Sequence, residues 1–471
     1  MRIVVTAVLL IGASCSSSEL ESCKVVCATD ADCPGDQTCG DLGRCSAGEA
    51  CPCQADEFLG CYPDGQAAAY CNATGDGVAS ESCEGGCNVE ESRCNLCTPD
   101  ALTCGPSGSV ATCGADGLPA TVMGCDIACV STEDSARCGY IQPQFLPDIC
   151  DTPATTELII STASTFDTAI DSNCNGGVIA QATGPAVCVV RHGRIEVAAT
   201  LTVVGARPLA LVADSELIVS GGIIASAVGG VSGGGAFGVS GLRPATNVGG
   251  GGAGFRQIGG AGAGSTGGPA LEISPTVTGF RGGPRPEPGA PGAVAYTNGF
   301  PQSGGGGGAI NLIACRGPVT IGGVISVNGG GGGAGVYTAR VTTPQNQFAV
   351  GGAGGGAGGV VIVEGTSISV TGRLYANGGA GGGGCVSAGC VPSRGADGNN
   401  SAVAATGGNG GEFGGLGGAG GTNLNPTAGF GTSGGGGAAG YLRFYAPAGA
   451  TVNLIPAEAS PVLEPGTLLT R

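Results

Sequence analysis

The chain has 471 residues, of which 25 are cysteine and 99 glycine, and a net charge of −17. Lys24 is the only lysine and no basic cluster exceeds Arg191-His192-Gly193-Arg194, so the footprint needed for a phosphate backbone is absent and nucleic acid is excluded as a partner. A lone histidine, His192, also leaves a multi-histidine metal site or an ordinary hydrolytic triad without its parts.

At the N-terminus, Arg2 precedes an apolar run from Ile3 to Ile11, and Gly12, Ala13 and Ser14 lead directly into Cys15. Residues 1–14 therefore read as a signal segment. The stretch resembles a bacterial lipobox, departing from it at Gly12, where the motif usually carries a branched aliphatic residue. The resemblance implies cleavage before Cys15, acylation of that cysteine and a tether over 15–22. The membrane is then a partner through a lipid anchor, and the protein is exported to the outer membrane or cell surface. An ordinary secretory signal or a non-cleaved anchor is the alternative. With Cys15 set aside, 24 cysteines remain, an even number that allows complete pairing.

Up to Cys150 the chain holds 20 of the 25 cysteines, and after it 82 of the 99 glycines. The first part has too few large apolar residues to build an adequate core and must be held by cross-links. Its cysteines fall into sixes. Cys23, Cys27, Cys33, Cys39, Cys45 and Cys51 define a module over 23–52, whose segment DADCPGDQTCGDLGRC resembles short extracellular cysteine-rich repeats, Dickkopf-like modules among them; no activity follows from that likeness. Cys53, Cys61, Cys71, Cys83, Cys87 and Cys94, separated by 7, 9, 11, 3 and 6 residues, define a repeat over 53–96. Cys97, Cys104, Cys113, Cys125, Cys129 and Cys138, separated by 6, 8, 11, 3 and 8, define its second copy over 97–140. Both copies contain C-x-P-x-G at Cys61 and Cys104, and Gly75 and Gly117 stand four residues after the third cysteine. This is duplication, and Pro followed by Gly two places on is hairpin-turn chemistry. Pairing is expected inside each copy, with the connectivity open among 15. The CxxC at Cys94 and Cys97 and the CxC at Cys51 and Cys53 straddle module borders; structural disulfides are the expectation there, against zinc or thiol redox chemistry.

Charge divides at the same border: residues 1–152 carry a balance of −17 and residues 153–471 a balance of zero. The acidic coat thus belongs to the cross-linked modules, as a solubilising surface or a cation-binding face. Pro143, Pro147 and Pro153 crowd 141–153, which reads as a linker resisting helix and sheet.

From 154 to 471 short β-branched runs recur with glycine behind them, beginning at Pro208, Ala309, Gly359 and Gly440. The first three repeats each read as strand, polar turn, strand, then a third strand running into glycines; the last is partial, and partial rungs stand around Val187 to Val204. Such strands bury an apolar face only by stacking. The fold class is all-β: small disulfide-rich modules followed by a right-handed parallel β-helix-like solenoid with glycine-rich insertions. An antiparallel sandwich is the competing topology. The insertions, near 229–308, 329–358 and 378–437, have two open outcomes: hydrogen-bonded bundles of threefold extended helices, or disorder. Cys385 and Cys390 would close a local loop in one insertion, and Cys150, Cys174, Cys188 and Cys315 would pair within the solenoid and its entrance.

No cofactor is expected. Chance GxGxxG matches open no helix, and no GK[ST] occurs. His192 reads as an exposed turn residue. Paired carboxylates of the kind a polysaccharide-cleaving β-helix needs are scarce, with Asp167, Asp171, Asp214 and Asp397 the only aspartates after Pro153. Asp171 to Gly176 copies half a calcium loop, but Ala182 stands where the bidentate Glu belongs. As a whole the chain resembles predicted myxobacteria-like surface lipoproteins. That resemblance implies location more than activity; the leading expectation is a non-enzymatic envelope scaffold in adhesion or matrix interaction, with extracellular polysaccharide or matrix as a partner, and a carbohydrate-active enzyme and a purely structural coat are the alternatives.

Overall fold

In a computed structural model, residues 25, 27, 29–40, 44–47, 53–74, 78–105, 108–131, 135–146, 148–181, 185–236, 249–255, 258–262, 266–267, 302–339, 347–385, 390–410, 421–422, 427–429 and 432–471 are described. They form two compact units, Met1–Cys138 and Gly139–Arg471.

In the first unit the two six-cysteine repeats share one architecture. A three-stranded antiparallel sheet, Phe58–Cys61, Ala67–Cys71 and Val78–Ser82 in the first copy and Leu102–Cys104, Val110–Cys113 and Pro119–Met123 in the second, precedes a two-stranded hairpin. Those hairpins are Cys87–Asn88 with Arg93–Cys94, and Cys129–Ser131 with Ala136–Cys138. Gly65 and Gly108, the glycines of the two C-x-P-x-G motifs, both adopt left-handed backbone, with φ of 67° and 72°. Only glycine does this without a Cβ penalty, which is why the turn recurs with the same residue. The copies are docked to each other by the Leu96 N–H donating to the Gly117 carbonyl at 2.9 Å and Arg93 Nη2 to the Asp116 carbonyl at 3.1 Å.

The second unit is a coil of three parallel sheets, and the antiparallel-sandwich alternative is set aside by the pairing. The first sheet stacks Val187–His192, Leu209–Ala213, Ala309–Ala314, Val360–Glu364, Tyr441–Pro447 and Leu463–Thr470 in parallel. The second stacks Glu157–Ile160, Arg194–Val197, Leu217–Val219, Pro318–Ile321, Ser367–Val370 and Val452–Leu454. The third stacks Ser164–Asp167, Thr200–Val204, Gly222–Ile224, Val324–Ser326, Arg373–Tyr375 and Glu458–Ser460. Each turn of the coil visits the three sheets in that order, so residues one turn apart lie side by side. Ile195, Leu217, Val319 and Ile368 form one such column, Leu209, Ile310, Val361 and Leu442 another, all at most 1% exposed. Every aliphatic added to a column is worth about 1.5–3 kcal/mol of burial, which a single rung of this length cannot obtain alone.

Three expectations need correction. Val187–Val204 is a complete turn, and so is the repeat after Gly440. A further half-turn, Glu157–Ile160 and Ser164–Asp167, precedes them, its Ser, Thr and Asp content having masked the strand pattern. The segment read as a linker packs onto the second unit instead. Ile141–Gln142 pairs antiparallel with Leu469 and Thr470, and Ile141, Phe145 and Leu146 are buried, because apolar side chains between the prolines gain more by covering the first sheet than by staying in water.

The described glycine tracts are ordered and bonded to one another. Gly329, Gly332 and Gly335 donate to the carbonyls of Asn377, Ala380 and Gly383, each at 2.8 Å, and Gly352, Gly355 and Gly358 to those of Thr432, Gly435 and Ala438. Bonds that recur every third residue between segments, with none inside a segment, define extended helices of three residues per turn. Dense inter-segment bonding thus offsets the backbone entropy that glycine loses.

Candidate functional site

The outer face of the first sheet, where the 140–152 segment lies over it, carries Asp214 and Glu364, the two buried charged residues among those described. At one end, Arg191 Nη2 and Arg316 Nη1 both donate to Asp214 Oδ1, at 2.8 and 3.0 Å, while the Ala154 N–H donates to Oδ2. Arg316 Nη2 reaches the Cys150 carbonyl at 3.2 Å, and its guanidinium lies 5.1 Å over the Tyr140 ring, whose hydroxyl donates to Asp151. Burial pulls the Arg191 guanidinium down from its usual range, against the opposing field of Asp214. Cys150 is bonded to Cys315, so the segment is pinned covalently beside this ion cluster.

Farther along the same face stands Glu364, the last residue of its strand and fully buried. Its Oε1 accepts the Gln144 N–H at 2.6 Å and its Oε2 the Asn311 Nδ2 at 3.1 Å. Burial in a low-dielectric site raises its pKa to about 7, opposed by those two hydrogen bonds. Phe145, the next residue of the segment after Gln144, is buried and stands edge-on to Tyr445 at 6.4 Å.

His192 is not an exposed turn residue. It ends a strand, partly buried, its Nδ1 2.9 Å from Thr156 Oγ1 and its Nε2 3.2 Å from Asn175 Nδ2. Burial lowers its pKa. Both ring nitrogens are engaged by neutral partners that hold the ring, and no carboxylate is bonded to it among the described residues. The half calcium loop is likewise committed elsewhere: Asp171 pairs with Arg207 at 2.6 Å, Cys174 is bonded to Cys188, and Asn175 caps the Arg191 backbone through both its amide atoms.

Of the carboxylates on adjacent rungs, Glu196 and Glu216 come together, but around Arg194, which donates to both. Asp397 accepts from Gly229 N, Gly331 N and Arg394, tying glycine tracts together, and Asp167 caps the Ala169 N–H. These are structural duties. A file of buried amides does similar work at the exits from the third sheet. Asn377 donates to the Asn399 and Ser401 carbonyls and accepts from Ser460 Oγ, while its N–H donates to Asn328 Oδ1 at 2.7 Å.

The two cysteine repeats pair in the same order. In the first repeat Cys53–Cys71, Cys61–Cys87 and Cys83–Cys94 are bonded, and in the second Cys97–Cys113, Cys104–Cys129 and Cys125–Cys138; both follow the order first to third, second to fifth, fourth to sixth. The first module contains Cys27–Cys39 and Cys33–Cys45, and the insertion contains Cys385–Cys390. Cys15, Cys23 and Cys51 lie outside the described residues. Cys94 and Cys97 point to different partners, so the CxxC is no dithiol. The sulfurs of Cys27, Cys33 and Cys39 lie within 4.8 Å of one another, but all three are consumed in disulfides and offer no thiolate to a metal. Bonds at this density form and persist in an oxidising compartment, so the folded chain is extracytoplasmic.

Glu364, Asn311, the Arg191–Asp214–Arg316 cluster and the Asn328–Asn377 file were not anticipated from the sequence. The last has a visible signal, Asn-Gly after the third strand of two successive repeats; for Glu364 the signal is a single charged residue closing an otherwise apolar strand. Compared with known proteins, the chain matches no family model, no curated protein and no solved structure.

Proposed function

We propose that this is a non-enzymatic envelope lipoprotein, anchored through an acylated Cys15 and serving outside the cell as a stiff scaffold in adhesion or matrix interaction. The observation that carries this reading is the way polar groups are used. Among the described residues the buried carboxylates, amides and arginines bond to the backbone, to each other or to a neighbouring tract, as in a body built to hold its shape. The resemblance to myxobacteria-like surface lipoproteins supports the anchor and the location, and extracellular polysaccharide or matrix is the partner that fits a scaffold so placed.

The test has two arms. Metabolic labelling with a radioactive fatty acid should mark the full-length protein and not Cys15→Ser, which should leave the membrane fraction; equal labelling of both removes the anchor. Purified protein on a glycan array, beside a depolymerisation assay on the same polysaccharides, should bind without shortening them. Cleavage would replace the scaffold with a carbohydrate-active enzyme, and silence in both assays would favour a structural coat.

A further inference from the structure

Glu364 is buried without a cation in contact among the described residues. Its two hydrogen bonds come from neutral donors, Gln144 N–H in the covering segment and Asn311 Nδ2 on the adjacent strand. The charged and titratable groups around it look elsewhere. Tyr445 on the next strand is bonded to Arg443, and Arg443 is engaged with Glu464 at 2.9 Å and lies 4.7 Å over the Tyr441 ring. At the far end of the segment, Arg191 and Arg316 are committed to Asp214. An ionised carboxylate in this position is costly to bury.

The neighbouring amide suits the neutral acid. Asn311 is fully buried and its Oδ1 has no hydrogen-bond partner. Turning that amide over brings Oδ1 to face Glu364 Oε2, where a protonated carboxyl donates its O–H to it; Gln144 N–H still donates to Oε1. In the closed segment the protonated carboxyl thus has both a donor and an acceptor beside it, whereas the ionised one is buried against two neutral donors with no cation in contact among the described residues. Once the segment lifts, water reaches the carboxyl and the ionised form is favoured. The segment can lift without being lost, because Cys150–Cys315 tethers one end.

We propose that residues 140–146 form a proton-controlled latch over the first sheet, held more tightly when Glu364 carries a proton and opening more readily toward solvent when it does not. This is a conformational device independent of any ligand and of the scaffold reading above. The sign follows from linkage: the folded-state pKa is raised above the ordinary 4.5 to about 7, so closure is fully favoured below the ordinary value and weakens as pH rises through the upper one.

Hydrogen–deuterium exchange on the intact, oxidised full-length chain tests it, with rates corrected for intrinsic pH dependence. The opening equilibrium of peptides spanning 140–146 should rise about tenfold per pH unit between about pH 5 and 7 and level off above, as one proton requires. Peptides from the central strands, such as Val360–Val363, should show no such slope. Glu364→Gln, neutral at every pH and able to donate and accept, should abolish the slope and stay shut. A flat profile in the unaltered protein, a slope retained in Glu364→Gln, or the same slope in the central strands would each overturn the latch.

Discussion

Cys150 and Cys315 are joined across 165 positions of sequence, with their Cα atoms 5.4 Å apart, and neither is accessible to solvent. The bond closes the longest loop among the described disulfides and ties the entrance of the coil to its third complete turn. A cross-link over so long a loop restricts the unfolded chain severely. Replacing both cysteines by serine should lower the stability of the second unit by about 3–5 kcal/mol, read from denaturant unfolding followed by exchange in the Leu209–Ala213 strand. A change under about 1 kcal/mol would show that strain in the bond cancels its benefit.

Two adjacent glycines give a sharper contrast. A methyl on Gly307 would overlap the Val327 carbonyl oxygen, whereas one on Gly306 would meet only the Ala236 methyl at 3.6 Å, an ordinary contact. In a threefold helix successive residues face different neighbours, so two adjacent positions can differ sharply in the room they leave. Gly307→Ala should therefore destabilise the coil by about 3 kcal/mol or prevent folding, while Gly306→Ala should stay within about 0.5 kcal/mol or stabilise slightly. Paired melting curves decide it; equal effects would mean that the tracts do not pack as threefold helices.

The amide file predicts a local failure with a distant reach. Asn377→Ala leaves the Asn399 and Ser401 carbonyls and the Ser460 hydroxyl without their partner. Stability should fall by about 2–4 kcal/mol, and residues 397–403 should become the first site of limited proteolysis.

His192 is the only histidine, so its ring protons titrate in an NMR spectrum without assignment. Because burial lowers its pKa, the midpoint should fall below the ordinary 6.5. The sign of its contribution is then fixed: the unfolded chain takes up the proton first, so the stability His192 provides as a neutral ring is present above 6.5 and is lost as pH falls through the folded-state value. A midpoint above 6.5 would contradict the burial that causes the shift.

How much of this was legible before the fold depended on whether the signal was periodic. Cysteine spacing exposed the duplicated repeats, and the runs around Ile310, Val361 and Leu442 exposed the stacked strands, since both are set by local repetition. The disulfide order was not legible, because spacing does not choose among pairings. Ile141 and Phe145 were hidden by the prolines beside them, as their burial depends on a surface assembled from strands two to three hundred residues away. Glu364 was hidden for the same reason: nothing in Val-Ile-Val-Glu says that a distant segment will roof it over. The glycine tracts posed a choice between order and disorder that only their mutual hydrogen bonds resolve.

Each glycine insertion leaves after a third-sheet strand, at Ile224, Ser326 and Tyr375, and returns before a first-sheet strand, at Ala309, Val360 and Tyr441. All three detours thus open at the same corner of the coil. Lengthening or shortening a detour leaves the register of the storeys above and below untouched, so the girth of the flank and the height of the tower are free to change separately through inheritance.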